Sequence, residues 1–406
     1  MSVTFEEALD LVESRLSSIR AEVPQRHFDP TRPAEVEINE FYFNGRTIDR
    51  VMVVLRATGC EHYGTKKGCS MCAHFDGTTL IPVSAEQYVK QWESVVDGSS
   101  IDEGARAGFD INRFPVLCLY NLGSFINPKE VPPEAIREIF RSIGKFHGIQ
   151  KVIIESRAEY VTDDNLRPIR DVYNGLVEVG VGLESSNHIV RELCHHKNMP
   201  DLVVFDNAIR TLHRNGFRAL AYVNQKPPFL TEREAVEDAV RTSIHAYDSG
   251  VDAVSIEPTS LQAHSLTDQL HTIGLYRVPW LWSVIEVVKG IYDHYGHDGV
   301  PDLRLGGYFD EEVLSGSQGV APGVERNELF PRMTSGNCNI CDPRIVQAIK
   351  DFNKTYDPRV LLAQEPCEYC YPTWEASMGV TDSRPIPQRI YDTLKPIEET
   401  YGKWRR

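Results

Sequence analysis

Short apolar runs alternate with amphipathic stretches from about residue 50 to about residue 295. The runs are VMVVLRA (51–57), PVLCLYN (115–121), KVIIES (151–156), VEVGVGLE (177–184), RALAYVN (218–224) and VDAVSIE (251–257). They are nearly continuous in apolar character, as strands covered on both faces are. The amphipathic stretches predict helices near 84–98, 133–146, 164–174, 201–215, 232–249 and 279–295. Alternation sustained about six times implies right-handed strand–helix–strand units around a parallel sheet. Six falls short of the eight strands of a closed barrel. The fold class expected is therefore α/β, an open, partial (β/α)6 TIM-like barrel with a cysteine-bearing C-terminal module. In such sheets the chemistry sits in the loops after the carboxyl ends of the strands.

The ends of the chain read differently. Residues 5–20 suit a helical lead-in, followed by a proline-containing connector, FDPTRPAEVEINEFYFNG (28–45). After about residue 300 the alternation loosens, which divides the chain into a lead-in (1–48), a barrel (49–300) and a C-terminal module (301–406). No apolar run approaches the roughly 18 residues of a membrane span. The start, MSVTFEEALDLVESRL, is acidic and lacks the regions of a signal peptide, so a cytoplasmic location is expected. The formal charge of −15 weighs against a phosphate-backbone partner and favours a small-molecule substrate.

Cysteine usage carries the chemistry. Nine cysteines, an odd number clustered as CxxC pairs, read as metal binding rather than a disulfide framework. Cys60, Cys69 and Cys72 fall in GCEHYGTKKGCSMCAHF (59–75), directly after the first predicted strand. Three thiolates leave one coordination position open. A [4Fe–4S] cluster held by them leaves its fourth iron free for the amino and carboxylate groups of a methionine moiety. The alternative is zinc with His62 or His74 as a further ligand, although the long first gap is unusual for zinc. Cys338, Cys341, Cys367 and Cys370 form a second set, two CxxC pairs with 25 residues between them. Four thiolates suit either a structural zinc or an auxiliary [4Fe–4S] cluster. Cys118 reads as a core thiol, and Cys194 is assigned no role.

From RATGCEHYGTKKGCSMCAHF (56–75) onward, the chain resembles the radical S-adenosylmethionine enzymes. Within them it is similar to the branch of tRNA-modifying methylthiotransferases and the elongator acetyltransferase, and to the radical subunit of archaeosine synthase. The resemblance rests also on YNLGSF (120–125), VIIESRAEYV (152–161), GVGLESSN (180–187), NQKPPFLTEREAVEDAV (224–240) and YRVPWLWSVIEVV (276–288). It implies that Gly123 and Ser124 meet the amino group of S-adenosylmethionine, and that Glu155 and Arg157 reach its ribose and carboxylate. It further places Glu184, Ser185, Asn224, Gln225, Lys226 and Glu257 at strand ends facing one mouth. Each residue also has a plainer reading: Gly123–Ser124 as a turn, Glu155 with Arg157 as an ion pair, and His195, His196 and Lys197 as a solvated loop. Pro279 and the tryptophans after it read as helix start and core.

These readings converge on a radical enzyme that abstracts hydrogen from a small, nucleoside-like substrate, reduced by a donor such as flavodoxin or ferredoxin. Sulfur insertion from an auxiliary cluster would follow if the second cysteine set holds one. Two alternatives stand beside it. One is archaeosine-type maturation of a tRNA base by radical C–N cleavage, with a partner presenting the RNA. The other is a non-catalytic, zinc-stapled binding protein.

Overall fold

The structure, a computed structural model, describes residues 3–23, 27–79, 81–296, 299–308, 311–316 and 333–404. Its centre is a nine-stranded sheet. The strands are β1 (Glu35–Phe43), β2 (Arg46–Val54), β3 (Val116–Tyr120), β4 (Lys151–Ser156), β5 (Leu176–Gly182), β6 (Arg218–Gln225), β7 (Ala253–Pro258), β8 (Asp302–Leu305) and β9 (Glu311–Gly316). Their order across the sheet is β8-β7-β6-β5-β4-β3-β2-β1-β9. From β2 to β8 every neighbouring pair is parallel and consecutive. Right-handed crossovers in unbroken order deliver every helix to the same face. The sheet therefore curls about its other face, as a partial barrel.

All six expected strands are present as β2 to β7, and β8 adds one more parallel strand at the edge. Asn353, from the helix Asp342–Thr355, covers that edge: it accepts from the Leu305 N–H at 2.9 Å and donates to the Leu305 carbonyl at 2.8 Å. The connector reading of 28–45 is corrected, because β1 occupies Glu35–Phe43 and pairs antiparallel with β2 and β9. Its EVEIN stretch (35–39) alternates polar and apolar residues, the period-two signature of a strand.

The register sorts the barrel interior into layers. At the amino ends of the strands lies a buried charge network in which Glu178 accepts from Lys151 at 2.8 Å and from Arg304 at 2.7 and 3.2 Å. Phe41 of β1 lies against the network, its ring centroid 4.6 Å from Arg50, 5.6 Å from Lys151 and 5.2 Å from Arg304. Phe41, Val116, Cys118 and Ile153 form an apolar cluster there, consistent with a core role for Cys118. The lead-in helix Phe5–Arg20 packs Ala8, Val12, Leu16 and Ile19 against Ile390 and Leu394 of the helix Ile386–Trp404. The two ends of the chain thus meet beside the barrel.

Candidate functional site

The three-cysteine loop leaves β2 at the carboxyl end of the sheet. Cys60 caps the short helix Glu61–Lys66, and the chain reverses through Lys67 (φ 70°) and Gly68 (φ 76°) to bring Cys69 and Cys72 back. Two remote segments hold this loop. From the lead-in helix, Arg20 donates to the carbonyls of Lys67 (3.2 Å), Cys69 (3.1 Å) and Cys72 (2.9 Å), its guanidinium 4.3 Å from the Phe75 ring centroid. From the other side come residues 194–196. The Ser70 N–H and hydroxyl donate to the carbonyls of His195 (2.9 Å) and Cys194 (2.5 Å), His62 Nε2 to that of His196 (2.7 Å), and His196 Nδ1 to that of Gly68 (2.8 Å).

This corrects the solvated-loop reading, since His195, His196 and Lys197 are all buried. The carbonyls of His195 and His196 are engaged by the cysteine loop, a partner far away in sequence. Arg20 has no local signature beyond a basic residue in a helix's last turn, so its role was invisible before folding. Arg20→Ala is expected to lower the iron bound after reconstitution at least roughly threefold, because it removes charge-assisted bonds to the loop. Arg20→Lys, which keeps charge without the planar fork, should recover only part. Iron assay of the two variants beside wild type checks this.

The three thiols are unpaired and half-buried. Among the described residues, the only ligand group of three or more within 4.8 Å of one another is the C-terminal set. Cys60, Cys69 and Cys72 are therefore spread more widely than that compact group, as a cluster with one thiolate on each of three irons requires. Burial pushes the Cys60 thiol up to about 12 and that of Cys69 up to about 11. Burial would raise Cys72 as well, but His74 beside it brings it to about 7, while Cys72 raises His74 to about 9. Arg157 acts on both Cys60 and Cys69, and Lys197 on Cys69. With Arg20 they offset the negative charge of thiolate-bound iron, so the donor set fits such a cluster.

The residues that resemblance places at the mouth divide into two groups. Glu155, Glu184 and Glu257 face one another closely enough to interact across the interior with His74. Burial pushes Glu155 and Glu257 each up to about 7. Glu184 accepts from Lys197 at 2.7 Å. Two glycines keep this space open, since a Cβ on Gly306 would meet the Glu257 carboxylate at 1.9 Å and one on Gly182 would meet Lys197 Nζ at 2.4 Å. Arg157 pairs not with Glu155 but with Glu159, at 2.5 Å, and donates to the Lys197 carbonyl at 2.7 Å.

Most of the second group is engaged by protein partners. Ser124 is fully buried; its N–H donates to Glu130 at 2.5 Å and its hydroxyl accepts from the Arg157 N–H at 3.2 Å. Gly123 beside it has no room for a side chain, because a Cβ would meet Glu130 Oε2 at 2.2 Å. The Ser185 hydroxyl donates to Asp238 at 3.0 Å, toward the helix Glu232–Asp248 rather than the mouth. Asn224 is engaged by Thr259 at 2.7 Å and by the Glu257 carbonyl at 3.1 Å. Gln225 is buried, with neither amide atom partnered among the described residues, and Lys226 pairs with Glu232.

No family model matches the chain. It is 27% identical over 360 residues to an uncharacterized protein of Methanocaldococcus jannaschii, covering 88% of this chain and 90% of that one. It is 27% identical over 367 residues to archaeosine synthase subunit beta of Methanosarcina acetivorans, covering 90% of this chain and 95% of that one. These relatives support the resemblance to the radical S-adenosylmethionine enzymes that the motifs carry. That resemblance implies a [4Fe–4S] cluster and S-adenosylmethionine. A radical SAM methyltransferase from Sphaerobacter thermophilus has a solved structure similar at 13% identity and a TM-score of 0.43, over 71% of this chain and 80% of that one.

The chain carries a second thiol group outside the mouth. The sulfur of Cys338 lies 3.6 Å from that of Cys341 and 3.8 Å from that of Cys367, and Cys341 lies 3.5 Å from Cys370. The four cysteines expected to act together are thus assembled, and they can hold a metal. Trp282 and Trp280, read from sequence as core, are both buried, and Trp282 Nε1 donates to the Cys370 sulfur at 3.3 Å. Cys194 is buried and unpaired. No described helix is long and apolar enough to cross a membrane.

Proposed function

We propose that this enzyme matures a modified base of the archaeosine type, with Cys60, Cys69 and Cys72 as cluster ligands and a partner subunit presenting the RNA. The observation that carries the reading is the alignment with an archaeosine synthase beta subunit across nine tenths of both chains. The mouth supports it chemically: an enclosed carboxylate pair, Glu155 and Glu257, suits a substrate or cofactor rich in hydrogen-bond donors. A [4Fe–4S] cluster on these three thiolates would, with S-adenosylmethionine and an external reductant, supply one-electron radical chemistry. The chain's own residues bind and orient. Glu155 and Glu184 accept from donor groups on the ligand, Arg157 holds the 197–198 carbonyls at the rim, and the curled sheet keeps bulk water from the reacting carbon. A formal charge of −15 explains why the RNA would need a partner's help.

The test is anaerobic incubation of reconstituted enzyme with reductant, S-adenosylmethionine and unfractionated tRNA, with and without the partner subunit. The reading predicts 5′-deoxyadenosine formation coupled to a changed nucleoside in the digested tRNA. Formation indifferent to tRNA and partner would sink it and return the small nucleoside-like substrate to first place. A product that gains sulfur would instead favour sulfur insertion. Glu155→Gln is expected to weaken S-adenosylmethionine binding roughly 10- to 100-fold, the loss of a hydrogen bond to a charged group. Because the ionised carboxylate is the acceptor, wild-type binding should strengthen as pH rises through about 7, and the variant should keep only the part of that dependence that Glu257 contributes. Equilibrium binding across pH reads both.

A further inference from the structure

We propose that Cys338, Cys341, Cys367 and Cys370 hold a single zinc ion, and that this zinc-stapled module fixes Lys226 at the barrel mouth through Trp374, Ser283 and Glu232. The first part rests on spacing. Sulfur separations of 3.5, 3.6 and 3.8 Å match the edges of a thiolate tetrahedron around one ion; a Zn–S bond of about 2.3 Å gives edges of about 3.8 Å. A cubane sets each thiolate on its own iron, outside the cube, and so spreads four sulfurs well beyond this. The surroundings suit a closed, fully ligated ion. Trp282 donates to the Cys370 sulfur at 3.3 Å and Asn337 to the Cys341 sulfur at 3.6 Å, which steadies thiolate charge.

The second part follows a chain of buried hydrogen bonds. Cys370 caps the helix Tyr371–Gly379, and its carbonyl accepts from the Trp374 N–H at 3.0 Å. Trp374 Nε1 donates to the Ser283 hydroxyl at 2.9 Å, and that hydroxyl donates to Glu232 Oε1 at 2.6 Å. The Trp280 N–H reaches the same oxygen at 3.1 Å. The other oxygen of Glu232 pairs with Lys226 Nζ. Lys226 directly follows β6, has a left-handed backbone (φ 63°), and its carbonyl accepts from the Tyr276 hydroxyl at 2.7 Å. Trp374, Ser283, Glu232 and Lys226 are all buried. One carboxylate thus joins the metal module by one oxygen and the mouth by the other. Lys226 is the group positioned, and Trp374 the residue that positions it. The assignment does not depend on the radical chemistry or its substrate.

Two experiments test it. In a variant with Cys60, Cys69 and Cys72 all changed to alanine, reconstituted anaerobically with iron and sulfide, metal analysis should find about one zinc per chain and no cluster iron. About four irons with matching sulfide in that variant would overturn the zinc assignment. In the otherwise wild-type chain, Trp374→Phe removes one donor and should keep the zinc. Labelling by an amine-reactive reagent, read by mass spectrometry, should rise at Lys226 roughly three- to tenfold, the fold-change of one lost hydrogen bond. Lys197, buried in the same mouth but paired with Glu184, is the control and should not change. Lys226 labelling at the wild-type rate, or a parallel rise at both lysines, would overturn the positioning role.

Discussion

Replacing Cys69 with alanine is expected to lower S-adenosylmethionine cleavage to the uncatalysed background, a loss of at least about 10⁶-fold. His62, His195 and Cys118 are poorly placed to substitute for it. His62 is engaged through Nε2 with the His196 carbonyl, His195 lies fully buried, and Cys118 belongs to the apolar cluster at the other end of the barrel. Two thiolates cannot hold a cluster that needs three protein ligands, so iron content should fall together with activity. Cys60→Ala and Cys72→Ala should behave alike. Cys118→Ala and Cys194→Ala should keep both iron and turnover, which separates ligation from general cysteine loss. Iron and sulfide assay beside chromatography of 5′-deoxyadenosine decides the matter. Full iron with full cleavage in Cys69→Ala would remove it from the ligand set.

Glu178→Ala is expected to destabilise the fold by about 3–5 kcal/mol, the cost of breaking a buried ion pair by removing one partner. Glu178 is fully buried, and Lys151, Arg304 and Arg218 converge on it at 2.8, 2.7 and 3.6 Å. Without the carboxylate Lys151 loses this partner, and Arg304 and Arg218 are left with Asp302 and Asp252 at 3.4–3.8 Å. Urea unfolding of the variant, followed at neutral pH, measures the effect. Burial alone would raise the Glu178 pKa, yet Arg304 and Lys151 outweigh it and hold the group well below the usual carboxylate range. A depressed carboxylate contributes stability that is complete above its unfolded value, about 4.3, and is lost as pH falls below it. The gap between wild type and variant should therefore shrink with acidification, and a gap independent of pH would show that packing, not charge, is responsible.

Local periodicity made most of the scaffold legible. Six strands and six helices stand where apolar runs and amphipathic stretches place them, because each pattern reports burial of a face and needs no knowledge of the partner. The misses have the same cause from the other side. β1 was hidden behind two prolines, although EVEIN (35–39) alternates as a strand should. β8 spans only Asp302–Leu305, too few residues for a periodic signal, and exists because β7 and Asn353 pair with it.

The chemistry divides along the same line. Residue type and spacing by themselves determined that three thiols follow the first parallel strand, that four more form a second set, and that strand ends supply the mouth. Only the tertiary structure decided which groups serve there. It buried His195, His196 and Lys197 and turned Ser185 toward Asp238. It brought Arg20 across 49 residues to the Cys69 carbonyl, and it drew the C-terminal sulfurs to 3.5–3.8 Å while leaving the mouth's three thiols outside such a compact group. Periodicity encodes whether a position is buried. A buried polar group's partner, and so its charge and its role, is set by whatever distant segment the fold brings within hydrogen-bond reach.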